Sequence, residues 1–255
     1  MGELFLPGLP EDLIRAVYEN APGNEIESGK FASPESSAAL VANTFGIFLN
    51  SRSDLPPLPG LEGRDWHVES VQLEAQLRFP WRGGLHPWLD VLVDTKDDLV
   101  GIESKRYETF RAKKEPEFSK TYWRPVWGDR MNSFEQVRND LQEGRLKFEH
   151  LDATQLVKHA FGLRTAVQRE GQRQGKRPIL YYLFAEPERW PDGRPIPETA
   201  CKNHRAEIER FAKLVAGDEV GFRACSYREL LAEWSEVGGD DVRRHTIAVR
   251  ERFAL

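Results

Sequence analysis

Two acidic residues and a lysine interrupt neighbouring hydrophobic stretches of the sequence, where a simple hairpin would place core residues. Asp90 lies in PWLDVLVD, and Glu103 and Lys105 end the run LVGIESK, with the polar turn KDD in between. Because side chains two apart on a strand point to the same face, Glu103 and Lys105 project together. In a tight hairpin Asp90 lies across from the Glu103 region, so the pattern predicts two carboxylates and an ammonium at one sheet edge.

This combination of charges indicates a particular chemistry. Two carboxylates at short range repel each other unless a cation joins them, and oxygen ligands suit Mg²⁺ or Mn²⁺. A lysine beside them can hold a water or help to deprotonate it. Such a centre supplies a nucleophilic water and polarises a phosphoryl oxygen, which is what phosphodiester hydrolysis needs. The alternative is a polar strand end at Asp90 and a surface pair at Glu103 and Lys105.

The elements that must position these residues begin with helices and continue with strands. A helix is predicted over residues 10–20, and a second, buried helix from Ser33, with Pro34 at its first position. Alternation predicts strands over 66–79, 88–93 and 99–105, the first two joined by a turn at Arg82-Gly83-Gly84, which together form a meander.

The first strand of this meander carries a further acid. Alternation predicts Val71, Leu73, Ala75 and Leu77 on one face of the strand and Glu74 on the opposite face.

Later segments continue the pattern with helices over 134–146 and 152–169, an apolar strand over 178–187, and helices over 203–215 and 227–234. This order predicts an α/β (α+β) fold with a mixed sheet. The length of 255 residues suits a single domain over 1–255.

Composition excludes several classes of protein. The net charge of −5 argues against indiscriminate coating of nucleic acid, and the two cysteines lack the partners of a disulfide framework or a thiolate metal centre. No apolar run approaches the ~20 residues that span a bilayer, so no membrane partner is expected. The N-terminus lacks the features of a signal peptide, and the expected location is cytoplasmic.

The motif and its context resemble the PD-(D/E)XK, or restriction-endonuclease-like, nuclease superfamily. Asp90 is followed by twelve residues and then by Glu103-Ser104-Lys105, within a helix, meander, helix and strand order over about residues 33–187. The first motif reads Pro87-Trp88-Leu89-Asp90, which departs from the Pro-Asp of the superfamily. The predicted second helix also looks like that of an uncharacterised bacterial branch of restriction-type endonucleases, through Ser36, Ser37, Asn43 and Phe45.

The resemblance implies a fold and a set of roles. The fold is a restriction-endonuclease-like αβββαβ core with a central mixed sheet flanked by helices, extended by N- and C-terminal helical additions, the latter over 188–255. Asp90 and Glu103 are implied to bind Mg²⁺, for which Mn²⁺ substitutes, and Lys105 to position the attacking water. Glu74 corresponds to an additional acid near the metal in many members.

The helix DATQLVKHAFGL resembles the glutamine motif of some branches of the superfamily. Gln155 and His159 are one turn apart and are implied to face the site, while Lys158 on a similar face meets a phosphate. A capping box is the alternative for Gln155, with Asp152 as N-cap. A packed helix histidine is the alternative for His159.

A basic and aromatic segment follows Lys105 and offers contacts to phosphates and bases. From it Arg106, Lys113 and Lys114 are assigned to nucleic-acid binding. The alternative is a charged insertion packed by its own aromatic residues, which are Tyr107, Phe110, Phe118, Tyr122, Trp123 and Trp127.

The sequence and the resemblance together predict a metal-dependent nuclease that acts on DNA. A homodimer is expected if both strands are cut. One rival is a non-catalytic module that keeps the fold for nucleic-acid or protein binding. Another keeps the chemistry and takes RNA or branched DNA, because phosphate contacts carry no base information.

Overall fold

The computed structural model describes residues 4–81, 85–112 and 115–255. Over these residues one five-stranded sheet has the order β1-β2-β3-β4-β5. The strands are β1 Val68–Gln76, β2 Trp88–Thr95, β3 Asp98–Lys105, β4 Arg177–Phe184 and β5 Gly221–Ser226. Strands β1 to β3 are antiparallel, whereas β3, β4 and β5 are parallel. The meander and the mixed α/β fold are therefore confirmed.

Helices cover both faces of this sheet. They are α1 Glu11–Asn20, α2 Ser37–Phe45, α3 Asn132–Gln142, α4 Ala153–Gln168, α5 Glu198–Leu214, α6 Tyr227–Val237 and α7 Asp240–Phe253. One apolar cluster lies between the sheet and α1, α2, α6 and α7. The other lies between the sheet and α3, α4 and α5. In the described part of the chain, no helix is both long and apolar enough to cross a bilayer.

Helix α2 begins later than the sequence predicted. Its N-cap is Ser36, whose Oγ accepts from the Ala39 amide at 3.0 Å. Ser33 instead accepts from the Glu35 amide at 3.2 Å, in a turn before the helix. The predicted start at Ser33 was wrong because the Pro34 carbonyl accepts from the Arg106 guanidinium, which commits this stretch to a tertiary contact.

The C-terminal region is more than a helical addition. Strand β5 extends the central sheet beside β4, with Leu180 opposite Phe222. Helix α7 follows α6 and packs against α2. Neither element was predicted, because β5 has only six residues and α7 is rich in charged residues. The predicted turn at residues 82–84 lies outside the described residues.

Candidate active site

Side chains two apart on a regular strand share a face of the sheet, but this rule fails in β1 at Glu74 and in β2 at Asp90. Leu73 pairs with Val91, and both join the cluster beneath α2, whereas Ala75 pairs with Leu89 and both join the cluster beneath α4. Glu74 adopts a left-handed φ of 48°, which breaks the alternation. The predicted common face for residues 71 to 77 was therefore wrong beyond Leu73, and the two acids lie opposite each other where the strands switch.

Asp90 is held by the neighbouring strand β3. The last paired residues of β2 and β3 at this end are Val91 and Ile102, which places Asp90 opposite Glu103. Beyond that pair the Ser104 amide donates to Asp90 Oδ2 at 2.6 Å. The Asp90 carboxylate thus accepts the hydrogen bond that a β2 carbonyl would otherwise accept. The orientation of this carboxylate depends on the backbone of Ser104.

Glu103 is buried between two basic side chains. It is only 2% exposed, and its Oε1 accepts from Lys105 Nζ. Its Oε2 lies 2.8 Å from His159 Nε2, at an ion-pair distance but without the angles of a hydrogen bond. His159 therefore reaches the site from α4, as the resemblance implied.

Charge is distributed unevenly among these groups. Burial, the charge of Glu103 and the charge of Glu25 raise the pKa of Glu74 to about 7. Burial and Glu103 also raise the pKa of Asp90 well above its usual value, although Lys105 opposes this effect. Burial alone would raise the pKa of Glu103, but Lys105 and His159 outweigh it and lower the pKa to about 2. The site thus has one firmly ionised carboxylate and two that resist ionisation.

A cavity of about 480 Å³ opens onto this group and is bordered by Glu74, Asp90 and Gln155. Of the capping box considered for Gln155, the half formed by the Asp152 side chain is present. The Gln155 backbone amide donates to Oδ1 of the N-cap residue Asp152 at 2.9 Å, and Gln155 also borders the cavity. The structure therefore brings together Glu74, Asp90 and Gln155 around one space beside Glu103.

The donor set fits a hard divalent cation. In the described ranges 4–81, 85–112 and 115–255, no group of three or more His, Cys, Asp or Glu residues is arranged to hold a metal ion. Mg²⁺, however, keeps several waters and needs only one or two carboxylates. Asp90 and Glu103 would supply these oxygens, and Glu103 Oε2 is buried without a hydrogen-bond partner among the described residues.

The residues assigned to nucleic acid have different surroundings. Lys158 Nζ lies 5.4 Å from the Phe118 ring centroid and 5.8 Å from that of Tyr122, and burial lowers its pKa. Arg106 is 7% exposed and donates to the carbonyls of Pro34 and Phe253. We therefore leave Arg106 out of any phosphate-binding surface. Lys113 and Lys114 lie outside the described residues.

The aromatic segment packs largely against its own fold. Tyr107, Phe118, Tyr122 and Trp127 are buried, and Trp127 stacks on Phe161 with centroids 4.2 Å apart. Most of these rings are therefore unavailable for stacking on bases. Trp123 differs, since it is 41% exposed and has the Arg138 guanidinium 4.4 Å from its centroid.

Sequence reasoning missed several polar residues around the cavity. Glu108 accepts from Ser37 Oγ at 2.5 Å and from the Arg106 amide at 2.7 Å, which ties the segment after β3 to α2. Its spacing of three residues from Lys105 was the available signal. Glu25 also borders the cavity, but it comes from a turn after α1 and offered no signal.

Comparisons with known proteins place the chain in a family. No curated protein and no solved structure matches it. One family model does match, over residues 1–250, and it describes a restriction endonuclease associating with ARP. Since the match covers nearly the whole chain, the chain belongs to this restriction-endonuclease-like family, REase-ARP.

Proposed function

We propose that the protein is a Mg²⁺-dependent nuclease of the PD-(D/E)XK type that hydrolyses phosphodiester bonds in DNA. The observation that carries the proposal is the juxtaposition of Asp90, Glu103 and Lys105. Asp90 lies opposite Glu103 on adjacent strands, and Lys105 Nζ donates to Glu103 Oε1. Membership in a restriction-endonuclease-like family supports a nucleic-acid substrate.

Asp90 and Glu103 would hold the cation, with Mn²⁺ as a substitute for Mg²⁺. Bound there, the cation would supply a nucleophilic water and neutralise charge on the phosphate. Ionised Glu103 provides a fixed negative charge for this purpose, since its pKa is lowered to about 2. Asp90 resists ionisation without a partner charge, so cation binding and its loss of a proton are coupled.

Lys105 orients water in this proposal and does not deprotonate it. Burial alone would lower the pKa of Lys105, but Glu103 and Asp90 raise it above its usual value. The ammonium is therefore a hydrogen-bond donor at neutral pH. Glu74, with a pKa of about 7, can exchange a proton with water near neutrality. Gln155 borders the same cavity and supports the centre as a neutral amide.

Substrate contacts and assembly belong to the proposal as well. Lys158 lies three residues after Gln155 on α4, and we assign it to a contact with a phosphate of the substrate. A homodimer would bring two centres to two strands. The family description names association with ARP, which makes a partner chain part of the proposal. We keep the cytoplasm as the predicted location.

The test is cleavage of supercoiled, linear and single-stranded DNA and of RNA by the purified protein with Mg²⁺, Mn²⁺ or EDTA. We expect metal-dependent cutting that is lost in Asp90→Ala and Lys105→Ala. Asp97→Ala is the matched control, because Asp97 lies in the turn at the far end of the same two strands and is exposed. That variant should cut like the wild type.

Three results would contradict different parts of the proposal. Cutting that survives in Asp90→Ala would remove the metal assignment. Binding of nucleic acid without cutting of any substrate would favour the rival, a non-catalytic binding module. Preferential cutting of RNA would keep the chemistry and change the substrate class.

A further inference from the structure

Ser104, the residue between Glu103 and Lys105, points to the opposite face of the sheet. Its side chain is 1% exposed, and its Oγ lies 2.7 Å from the Tyr227 hydroxyl. Tyr227 is fully buried in the cluster beneath α2 and is the first residue of α6. A side chain from the C-terminal region therefore reaches the strand that carries the candidate catalytic residues, from behind.

Tyr227 occupies a firmly held position. Ser226 pairs with Phe184 as the last pair of β5 and β4, and it is also the N-cap of α6. Ser226 Oγ accepts from the Glu229 amide, and Glu229 accepts in return from the Ser226 amide at 2.6 Å. This capping box fixes the start of the helix and with it the Tyr227 ring.

The same Ser104 holds Asp90. Its amide donates to Asp90 Oδ2 at 2.6 Å, and in the described part of the chain no other hydrogen bond to this carboxylate is found. The hydroxyl and the amide belong to one residue, whose backbone also pairs with Leu183 of β4, so the contact with Tyr227 helps to hold the backbone that directs the amide.

We infer that Tyr227 is a positioning residue, which orients the Asp90 carboxylate through Ser104 and thereby sets the affinity of the site for a divalent cation. The part about the cation rests on the proposed function, whereas the orientation of Asp90 does not. Partners of metal ligands commonly change affinity by roughly 10–100-fold when they are removed. Tyr227 acts one residue further out, so we expect an effect of about tenfold.

The experiment compares Tyr227→Phe with Tyr181→Phe. Both tyrosines are buried in the same cluster, and each variant loses the contacts of its hydroxyl, but Tyr181 donates to the Pro59 carbonyl at 2.8 Å, away from Asp90. Hydrogen exchange of the Ser104 amide is measured by NMR in each full-length variant without metal. Binding of Mn²⁺ is then measured by calorimetry.

In Tyr227→Phe we expect faster exchange at Ser104 and about tenfold weaker Mn²⁺ binding. In Tyr181→Phe we expect both values to match the wild type, with a comparable loss of thermal stability in the two variants. Ser104→Ala should weaken Mn²⁺ binding by a similar factor. The double variant with Tyr227→Phe should be no weaker than Ser104→Ala alone, because the two groups act in one chain of contacts.

The outcomes separate the two proposals. Unchanged exchange at Ser104 and unchanged Mn²⁺ affinity in Tyr227→Phe, beside a wild type that binds Mn²⁺, would overturn the positioning role. Multiplying effects in the double variant would overturn the connection through Ser104. A wild type that binds no Mn²⁺ would instead overturn the proposed function and the cation part of the inference together.

Discussion

The candidate site holds more carboxyl groups than its basic side chains can pair with. Glu103 is compensated by Lys105 and by its proximity to His159. No described basic side chain forms an ion pair with Glu74 or Asp90, and burial together with the charge of Glu103 raises the pKa of each, although Lys105 opposes this effect at Asp90. This imbalance makes the stability of the protein dependent on pH in opposite directions on the two sides of about pH 4.5, the usual pKa of a glutamate.

Replacing Glu74 by glutamine should stabilise the protein at alkaline pH. The pKa of Glu74 is about 7 in the folded protein and 4.5 when unperturbed, so the folded state binds more protons between these values. Its ionisation therefore lowers the free energy of unfolding as pH rises through this window, by about 3 kcal/mol at most. Urea unfolding should show Glu74→Gln more stable than the wild type at pH 8 and equal to it near pH 4. Exposed Glu209→Gln should show no such difference, and a pH-independent gain would contradict the assignment.

Replacing Lys105 by methionine should have the opposite dependence. The folded pKa of Glu103 is about 2, so its ion pairs contribute stability that is present above pH 4.5 and lost as pH falls toward 2. Lys105→Met leaves Glu103 in its buried position without its main partner, at a cost of about 3 kcal/mol at pH 7. The difference from the wild type should shrink at pH 3. Lys96→Met is the control, since Lys96 is exposed and its 3.4 Å pair with Asp65 lies on the surface.

The sequence predicted that Asp90, Glu103 and Lys105 would lie close together, because strand pairing and spacing determine which side chains meet. Asp90 lies opposite Glu103, as the predicted hairpin required, and Lys105 lies beside Glu103, as alternation required. The exchange of faces at Glu74 was not predictable, since it depends on a left-handed φ at a residue that is not glycine. The contact of Ser104 with Tyr227 spans 123 residues, and local patterns carry no information on such distances.

Strands and helices were predictable where their periodicity was strong. The meander and α4 matched their sequence patterns because each buries a long apolar face. Strand β5 was missed because six residues give too short an alternation to recognise. Helix α7 was missed because charged residues dominate it, and its burial depends on tertiary contacts with α2 and α6.

The contact of β3 with α4 leads to a prediction about Gly101. A Cβ at this position would lie 2.9 Å from Leu163 Cδ2 of α4 and closer still to Leu89 of β2. Gly101→Ala should therefore push α4 away from β3 and destabilise the protein by about 1–3 kcal/mol. Gly221→Ala is the matched strand control, because its Cβ would meet only the Pro178 carbonyl at 3.9 Å. Equal unfolding free energies in the two variants, measured in urea, would contradict this close packing.

The whole molecule connects the site to both ends of the chain. Arg106 follows Lys105 directly and donates to the Pro34 carbonyl before α2 and to the Phe253 carbonyl at the end of α7. Its guanidinium also lies 5.0 Å from the Phe253 ring. Tyr227 reaches Ser104 from α6. The C-terminal region over 188–255 therefore helps to hold the candidate site in place. This agrees with a family match that extends over residues 1–250.

Cation binding should stabilise the whole fold, which can be tested without knowledge of the substrate. A ligand at about 100 times its dissociation constant adds about 2.7 kcal/mol to the free energy of unfolding. For a chain of this size the melting temperature should rise by about 5–10 °C. We expect this rise with Mg²⁺ or Mn²⁺ at pH 8, where the bound cation also relieves the repulsion among Glu74, Asp90 and Glu103. EDTA should reverse the rise.

Asp90→Asn is the decisive variant for this prediction. The amide removes one ligand charge and, with it, the carboxyl group whose ionisation is opposed by burial and by the charges of Glu103 and Glu74, so the metal-free variant should melt above the metal-free wild type at pH 8. The cations should then shift its melting temperature little. Asp97→Asn, in the turn between β2 and β3, should respond to cations like the wild type. A full cation shift in Asp90→Asn would mean that the ions bind elsewhere, and the carboxylates opposite each other on β2 and β3 would then have lost their assigned role.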